Sequence, residues 1–316
     1  MTSSSRHPLR RSLLAVAAFA AVPALALTGC GSSDPLGDGQ SSPAGDGDGS
    51  AEAIVIGSQQ YYSNEIIAEL YAQALEAEGY TVEREYQIGQ REVYLPELES
   101  GAIDLLPEYG GNLLQYYDAE STATTADQIH GALDEVLPEG LRALPRAEAT
   151  DQDSYNVTRE FAEEHSLTSL GDLASVEQDL SVAANSEFET RPYGPEGLSE
   201  VYGVDVTVVP VEDSGGPLTV KALVDGDVQL ADIYSADPSI ETEDLVTLED
   251  PEDLILPQHV TPIASEDVDE QAATVIDQVN AKLTAEELIG LNTQSVQDQA
   301  SSADLANAWL SEQGLV

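Results

Sequence analysis

Along the first stretch of the chain that can fold, the apolar positions change period several times. "AIVIGS" (53–58) is a short apolar run closed by Gly-Ser, the pattern of a buried parallel strand. In the next segment Ile66, Ile67, Leu70, Tyr71 and Leu75 recur at helical spacing, with Gly79 as the stop. "TVEREYQI" alternates like a strand, "VYLPELESG" predicts a short helix, and "AIDLLPEY" a further strand. This β-α-β-α-β order predicts an open α/β sheet.

The pattern then restarts. "SLTSLGDLASV" predicts a capped short helix and "DLSVAAN" a strand. A helix in "RPYGPEGLSEVYG", a strand in "VDVTVVPV", a helix in "PLTVKALVDGDV" and a strand in "QLADIYSAD" follow. After "PIAS" the chain is mostly helix, from Glu266 to Gly314. Two α/β sets in succession predict two α/β lobes with a cleft. The expected division is 51–151 plus 260–316 for one lobe and 152–259 for the other, with the C-terminal helices rejoining the first.

The start of the chain has a different character. Arg6, His7, Arg10 and Arg11 precede an apolar run from Leu13 to Leu27, broken only by Pro23. That is the layout of a secretory signal over residues 1–29, too short for a comfortable membrane span. It closes in Leu27-Thr28-Gly29-Cys30, which is similar to a bacterial lipobox, so Cys30 is expected to carry lipid. Cys30 is the single cysteine, so no disulfide is available. Residues 31–50, rich in Gly, Ser, Asp and Pro, predict a flexible tether. The expected location is extracytoplasmic, with the protein held to the outer face of the cell membrane by that anchor alone.

Charge narrows the partners. Of 316 residues, 59 are acidic and 11 basic. Without Arg6, Arg10 and Arg11 the balance is 8 basic against 59 acidic, or −51. Phosphate binding needs a basic surface, so nucleic acid is excluded as an expected partner. A solvated acidic surface suited to salt accounts for the charge.

Catalytic signatures are missing. There is no Gly-x-Ser-x-Gly elbow and no Gly-x-x-x-x-Gly-Lys loop. His130, His165 and His259 are scattered, with no metal-ligand spacing. No enzyme activity, metal or cofactor is expected. Thirteen tyrosines against three phenylalanines are more informative. Tyr61, Tyr62, Tyr109, Tyr155, Tyr193 and Tyr234 fall at strand ends or turns, where side chains of α/β folds converge on ligands. Their electron-rich faces suit a quaternary ammonium group, which no hydrogen bond can hold, at roughly 0.5–2 kcal/mol per contact.

Six stretches, "IVIGSQQY", "ELYAQALEAEGY", "ESGAIDLLPEYGGN", "RPYGPEGL", "DIYSADPSI" and "LANAWLSEQGLV", occur in an order and spacing that resemble one family. It is the substrate-binding lipoproteins of ABC importers for glycine betaine, choline and related osmoprotectants. The resemblance implies a clamshell whose aromatic cage holds the trimethylammonium head, docking on an ABC permease driven by a separate ATPase subunit. It also implies a cage of Tyr109, Tyr155 and Tyr234, with His259 where a fourth tyrosine is expected. Asn112 stands in place of a threonine that helps hold the carboxylate. Gln59 and Arg191 match positions that can meet that carboxylate, and Asp153 could add an opposite charge or cap a turn. An Arg191 on the ligand would favour a betaine over choline, and a titrating His259 would make binding pH-sensitive. A monomer is expected. The alternatives are the same fold binding an amino acid or other small zwitterion, and an anchored surface enzyme or interaction lipoprotein.

Overall fold

The computed structural model describes residues 53–316. The expected signal peptide, the lipidated Cys30 and the tether lie outside the described residues. β1 (Ile54–Gly57), β2 (Val82–Glu85), β3 (Leu105–Tyr109) and β4 (Arg142–Ala143) belong to one sheet. β5 (Tyr155–Thr158), β6 (Leu180–Ala184), β7 (Val206–Pro210), β8 (Leu230–Asp232) and β9 (Leu245–Thr247) form a second. β10 (Val260–Ala264) returns to the first. The two orders are β2-β1-β3-β10-β4 and β7-β6-β8-β5-β9. Each sheet is parallel at its start and mixed beyond: β1 lies parallel to β2 and β3, whereas β10 is antiparallel to β3 and β4.

Helix α1 (Tyr62–Ala77) shows why the sequence pattern was readable. Its stripe of Ile66, Ile67, Leu70, Tyr71 and Leu75 is wholly buried, each aliphatic side chain contributing roughly 1.5–3 kcal/mol. The first sheet also carries α2 (Arg91–Glu99), α3 (Gly110–Tyr117) and α4 (Ala126–Val136). α5 (Arg159–His165), α6 (Pro195–Tyr202), α7 (Pro217–Val224) and α8 (Ser239–Thr242) belong to the second. The short helix expected around Leu170 is a single 3₁₀ segment, and Ser169 and Asp172 cap its start reciprocally. α9 (Glu270–Asn280), α10 (Ala285–Asp298) and α11 (Ser302–Gln313) come back to α1. Tyr71 Oη donates to Asn280 Oδ1 at 2.6 Å, and Val279, Leu288 and Trp309 share the α1 core.

Thr150 and His259 form an antiparallel bridge, so the two passages of chain between the sheets run side by side. One of them presses on the turn after β3. A Cβ on Gly111 would stand 2.8 Å from Leu256 Cβ and 2.8 Å from the Pro257 carbonyl oxygen. Only glycine lets α3 begin against that passage.

Candidate functional site

The carboxyl ends of parallel strands from both sheets face one cleft, the place where open α/β sheets gather ligand groups. Beyond β1 come Gln59 and Tyr61, and β3 ends in Tyr109. Beyond β6 come Asn185, Glu187 and Phe188, and β8 ends in Asp232 with Tyr234 following. These residues, with Tyr193, Asn112, Asp151, Asp153, Arg91 and Arg191, enclose a cavity. Its free space is only 40 Å³ as traced by the centre of a water molecule. The cleft is therefore nearly shut.

Contacts across the cleft hold it so. Tyr62 Oη donates to Asp237 Oδ2 at 2.8 Å and Gln60 Nε2 to Ser214 Oγ at 2.9 Å. Asn112 Nδ2 donates to Asp153 Oδ2 at 2.7 Å and to Tyr193 Oη at 3.1 Å. Arg191 forks onto Glu92 at 2.8 and 3.3 Å. A wider groove of 620 Å³ between α7, α8 and α10 is open to solvent. Its one tyrosine, Tyr62, is engaged with Asp237, and the rest of its lining mixes valines and prolines with surface polar residues. It lacks the convergent polar and aromatic set of the closed cavity.

The aromatic wall is built around Tyr61. Its ring stacks on Tyr109 with centroids 6.4 Å apart and meets Tyr234 edge-on at 5.0 Å. Tyr193 stands on the other side against Phe188 at 5.8 Å. Burial pushes the phenols of Tyr61, Tyr109, Tyr193 and Tyr234 well above their ordinary value, so all four rings stay neutral. Two buried donors facing the cavity have no partner, Gln59 Nε2 and Tyr109 Oη. Polar atoms this deep are nearly always satisfied, so both point to a ligand acceptor.

Of the residues anticipated from sequence, Tyr109, Tyr234, Gln59, Asn112, Asp153 and Arg191 line the cavity. Tyr155 does not. It sits behind the wall, edge-on to Phe188 at 5.7 Å, with Oη donating to the Tyr193 carbonyl at 2.8 Å. Its placement in the cage is corrected to a buttress for Phe188 and Tyr193. His259 does not reach the cavity either. In an extended passage neighbouring side chains point to opposite faces. Gln258 takes the inward face, exchanging hydrogen bonds with Asn112 at 2.9 and 2.7 Å. The His259 ring turns away, and its Nδ1 lies 3.0 Å from the Ala147 carbonyl oxygen. Arg191 borders the cavity, but its fork is spent on Glu92 rather than open for a ligand carboxylate.

Phe188, Asp151 and Asp232 also line the cavity and were not anticipated, whereas Tyr61 and Tyr193 were noted among the strand-end tyrosines but given no place in the cage. Tyr61 follows β1 by four residues, and that position was the available signal. The aspartates carried none, because among 59 acids any one is unremarkable. In the fold they are distinctive. Burial is the main cause that pushes Asp151 up to about 7 from its ordinary 3.8. Burial first and the neighbouring Asp153 next push Asp232 well above the carboxylate range. A folded-state value above the unfolded one means the folded form binds the proton more tightly. Stability from Asp151 is then full below about pH 4 and is lost as pH rises through 7, on the order of a few kcal/mol. Urea midpoints of the ligand-free protein at pH 5 and pH 8 are expected to differ more in the wild type than in Asp151→Asn. Equal differences would remove Asp151 as a titrating group.

A family model described as the substrate binding domain of the ABC-type glycine betaine transport system matches residues 52–312. The glycine betaine-binding protein YehZ of Escherichia coli (strain K12) is 25% identical over 280 residues, covering 84% of this chain and 92% of that protein. A glycine-betaine-binding protein of Pseudomonas aeruginosa is 26% identical over 281 residues, covering 84% and 89%. The crystal structure of a glycine betaine/carnitine/choline ABC transporter protein superposes with a TM-score of 0.67 at 21% identity, over 83% of this chain and 99% of that one. Lactococcal OpuAC, closed on glycine betaine, superposes at 0.61 and 14% identity, over 83% and 96%. At these identities the structures speak for the shared two-lobed fold.

Proposed function

The chain belongs to the family of substrate-binding domains of ABC-type glycine betaine transport systems, and on that premise we propose that its cleft captures a quaternary ammonium solute without chemical change. The carrying observation is the ring wall of Tyr61, Tyr109, Tyr193 and Tyr234, drawn from both sheets around one enclosed cavity. Ring faces attract a cation that cannot donate a hydrogen bond. Gln59 and Tyr109 supply donors to the ligand's oxygen. Residues 51–151 with 260–316 move against 152–259, and the solute favours the closed state because it touches both sides. Such proteins deliver to a membrane permease rather than act as enzymes. We further propose a monomer, held outside the cell by lipid on Cys30. Among the described residues no helix is long and apolar enough to cross a membrane.

Calorimetric titration with choline, glycine betaine, carnitine, proline and arginine tests the reading. A methylated ammonium compound is expected to bind at micromolar concentration or below, and arginine not to bind. Binding of arginine or proline alone would replace this reading with that of an ordinary amino-acid receptor, whose N–H groups would meet Asp153 and Asp232.

A further inference from the structure

Four carboxylates border the cavity: Asp151, Asp153, Glu187 and Asp232. None has an ion-pair partner among the described residues. The two bordering guanidiniums are already neutralised outside the cavity, Arg91 by Glu108 and Arg191 by Glu92. No basic side chain is therefore left to neutralise the cavity's carboxyl lining. Asp151, Asp153 and Asp232 are at most 7% exposed, so solvent does little to screen them. Among the described residues no set of three such side chains converges as a metal site would. The carboxyl groups stand beside the rings, with Asp153 next to Asp232.

The unpartnered donors sharpen the choice. Gln59 Nε2 and Tyr109 Oη ask for one acceptor oxygen. A hydroxyl can accept from them and donate to a nearby carboxylate. A carboxylate ligand can only accept, finds no unpaired cation, and opposes the ionisation of the carboxyl groups around it. Resting on the reading of this cleft as a quaternary ammonium site, we propose that its preferred solute is a hydroxylated monocation of choline type rather than a zwitterionic betaine, and that capture expels a proton from the aspartate cluster. The balance is simple: a protonated carboxyl and the cation give the carboxylate–cation pair and one proton released to solvent.

The groups facing the cluster fit this exchange. Asp151 faces Tyr61 and Ser63 at the start of α1, Tyr109 of β3, Asp153 beside it, and Asp237 with the Ala236 amide beyond β8. Asp232 faces Asp153, the Ser154 amide, Glu187 beyond β6 and the rings of Tyr193 and Tyr234. Arg191, already forked, is the one cation felt by Glu187. In the empty protein burial favours the protonated forms of Asp232 and, below about pH 7, of Asp151. A bound cation favours the ionised forms instead.

The test is calorimetry of the full chain with choline and with glycine betaine at pH 6, 7 and 8, each in two buffers of different ionisation enthalpy. At pH 8 choline is expected to bind at least about tenfold more tightly than glycine betaine. Between pH 6 and 7 its affinity should rise with increasing pH, by up to about tenfold per unit, with buffer-dependent heat from the released proton. Glycine betaine should gain nothing over that range. Asp151→Asn and, separately, Asp232→Asn should each shrink both the choline preference and the proton release. Two variants guard against one that fails to fold. Glycine betaine binding equally well at pH 8, with loss on Tyr234→Ala, would overturn the inference and leave the cage standing. Proton-neutral choline binding would overturn the exchange. Binding of no methylated ammonium at all would sink the proposed function and the inference with it.

Discussion

Arg91→Ala is expected to lower the stability of the protein by about 3–5 kcal/mol. Glu108 is fully buried and Arg91 is 6% exposed. The guanidinium forks onto both carboxylate oxygens at 2.8 and 2.9 Å. Tyr94 Oη adds a 2.6 Å bond to Oε1, and the Tyr109 amide a 2.8 Å bond to Oε2. Such a pair contributes little compared with an apolar pair of the same shape, because both charges were taken out of water. Removing one partner is another matter, since the remaining carboxylate stays buried with its Coulomb partner gone. Arg159→Ala is the contrast: its pair with Asp244 is exposed on both sides, and little loss is expected. Urea midpoints read both. A loss below about 1 kcal/mol for Arg91→Ala would mean that water or a proton reaches Glu108 at little cost. Glu108 adjoins Tyr109 in β3, so a variant that does fold should also bind solute less tightly through a loosened ring.

The elements that local pattern determines were legible in the sequence. α1 was visible because five large apolar residues at helical spacing all face one core. β1 and β6 were visible because a strand buried on both faces reads as an apolar run. β5 was not, since "YNVT" places a buried asparagine in mid-strand, and Asn156 is satisfied there only by Ser154, the Ile233 carbonyl and Thr247. The antiparallel insertion of β10 between β3 and β4 was equally hidden, because pairing partners 150 residues apart leave no local trace. At the site, position after a strand brought Tyr109 and Tyr234 to the cavity wall. Side-chain direction did not follow from position. Tyr155 and His259 occupy fitting places in the chain but point behind the wall and away from it. Arg191 was read for its charge, whereas its meaning lies in Glu92, 99 residues away. The aspartates became informative only when the fold stripped them of solvent and of cations.

Tyr234→Ala is expected to weaken quaternary ammonium binding by about 10–100-fold, equivalent to roughly 1.4–2.8 kcal/mol for a desolvated ring face and its packing. Tyr234 is the cage ring best suited to this measurement. Tyr109 is 3% exposed and Tyr193 4%, so truncating either opens a core cavity and confounds affinity with folding. Tyr234 is half-buried and its main ring contact is Tyr61, at 5.0 Å. Tyr234→Phe keeps the π-face and is expected to bind within about threefold of the wild type, because a quaternary ammonium offers no proton to a phenol. Tyr109→Phe separates the two roles of the other ring. It leaves the wall intact, removes an unpartnered hydroxyl at little cost to the empty protein, and should weaken solutes bearing an oxygen more than tetramethylammonium. His259→Ala should leave affinity unchanged, as its ring is turned toward Ala147. Calorimetry on the four variants decides among these roles. Equal losses for Tyr234→Phe and Tyr234→Ala would move the contact from the ring face to the hydroxyl, and with it the solute from a methylated ammonium to one that carries N–H donors.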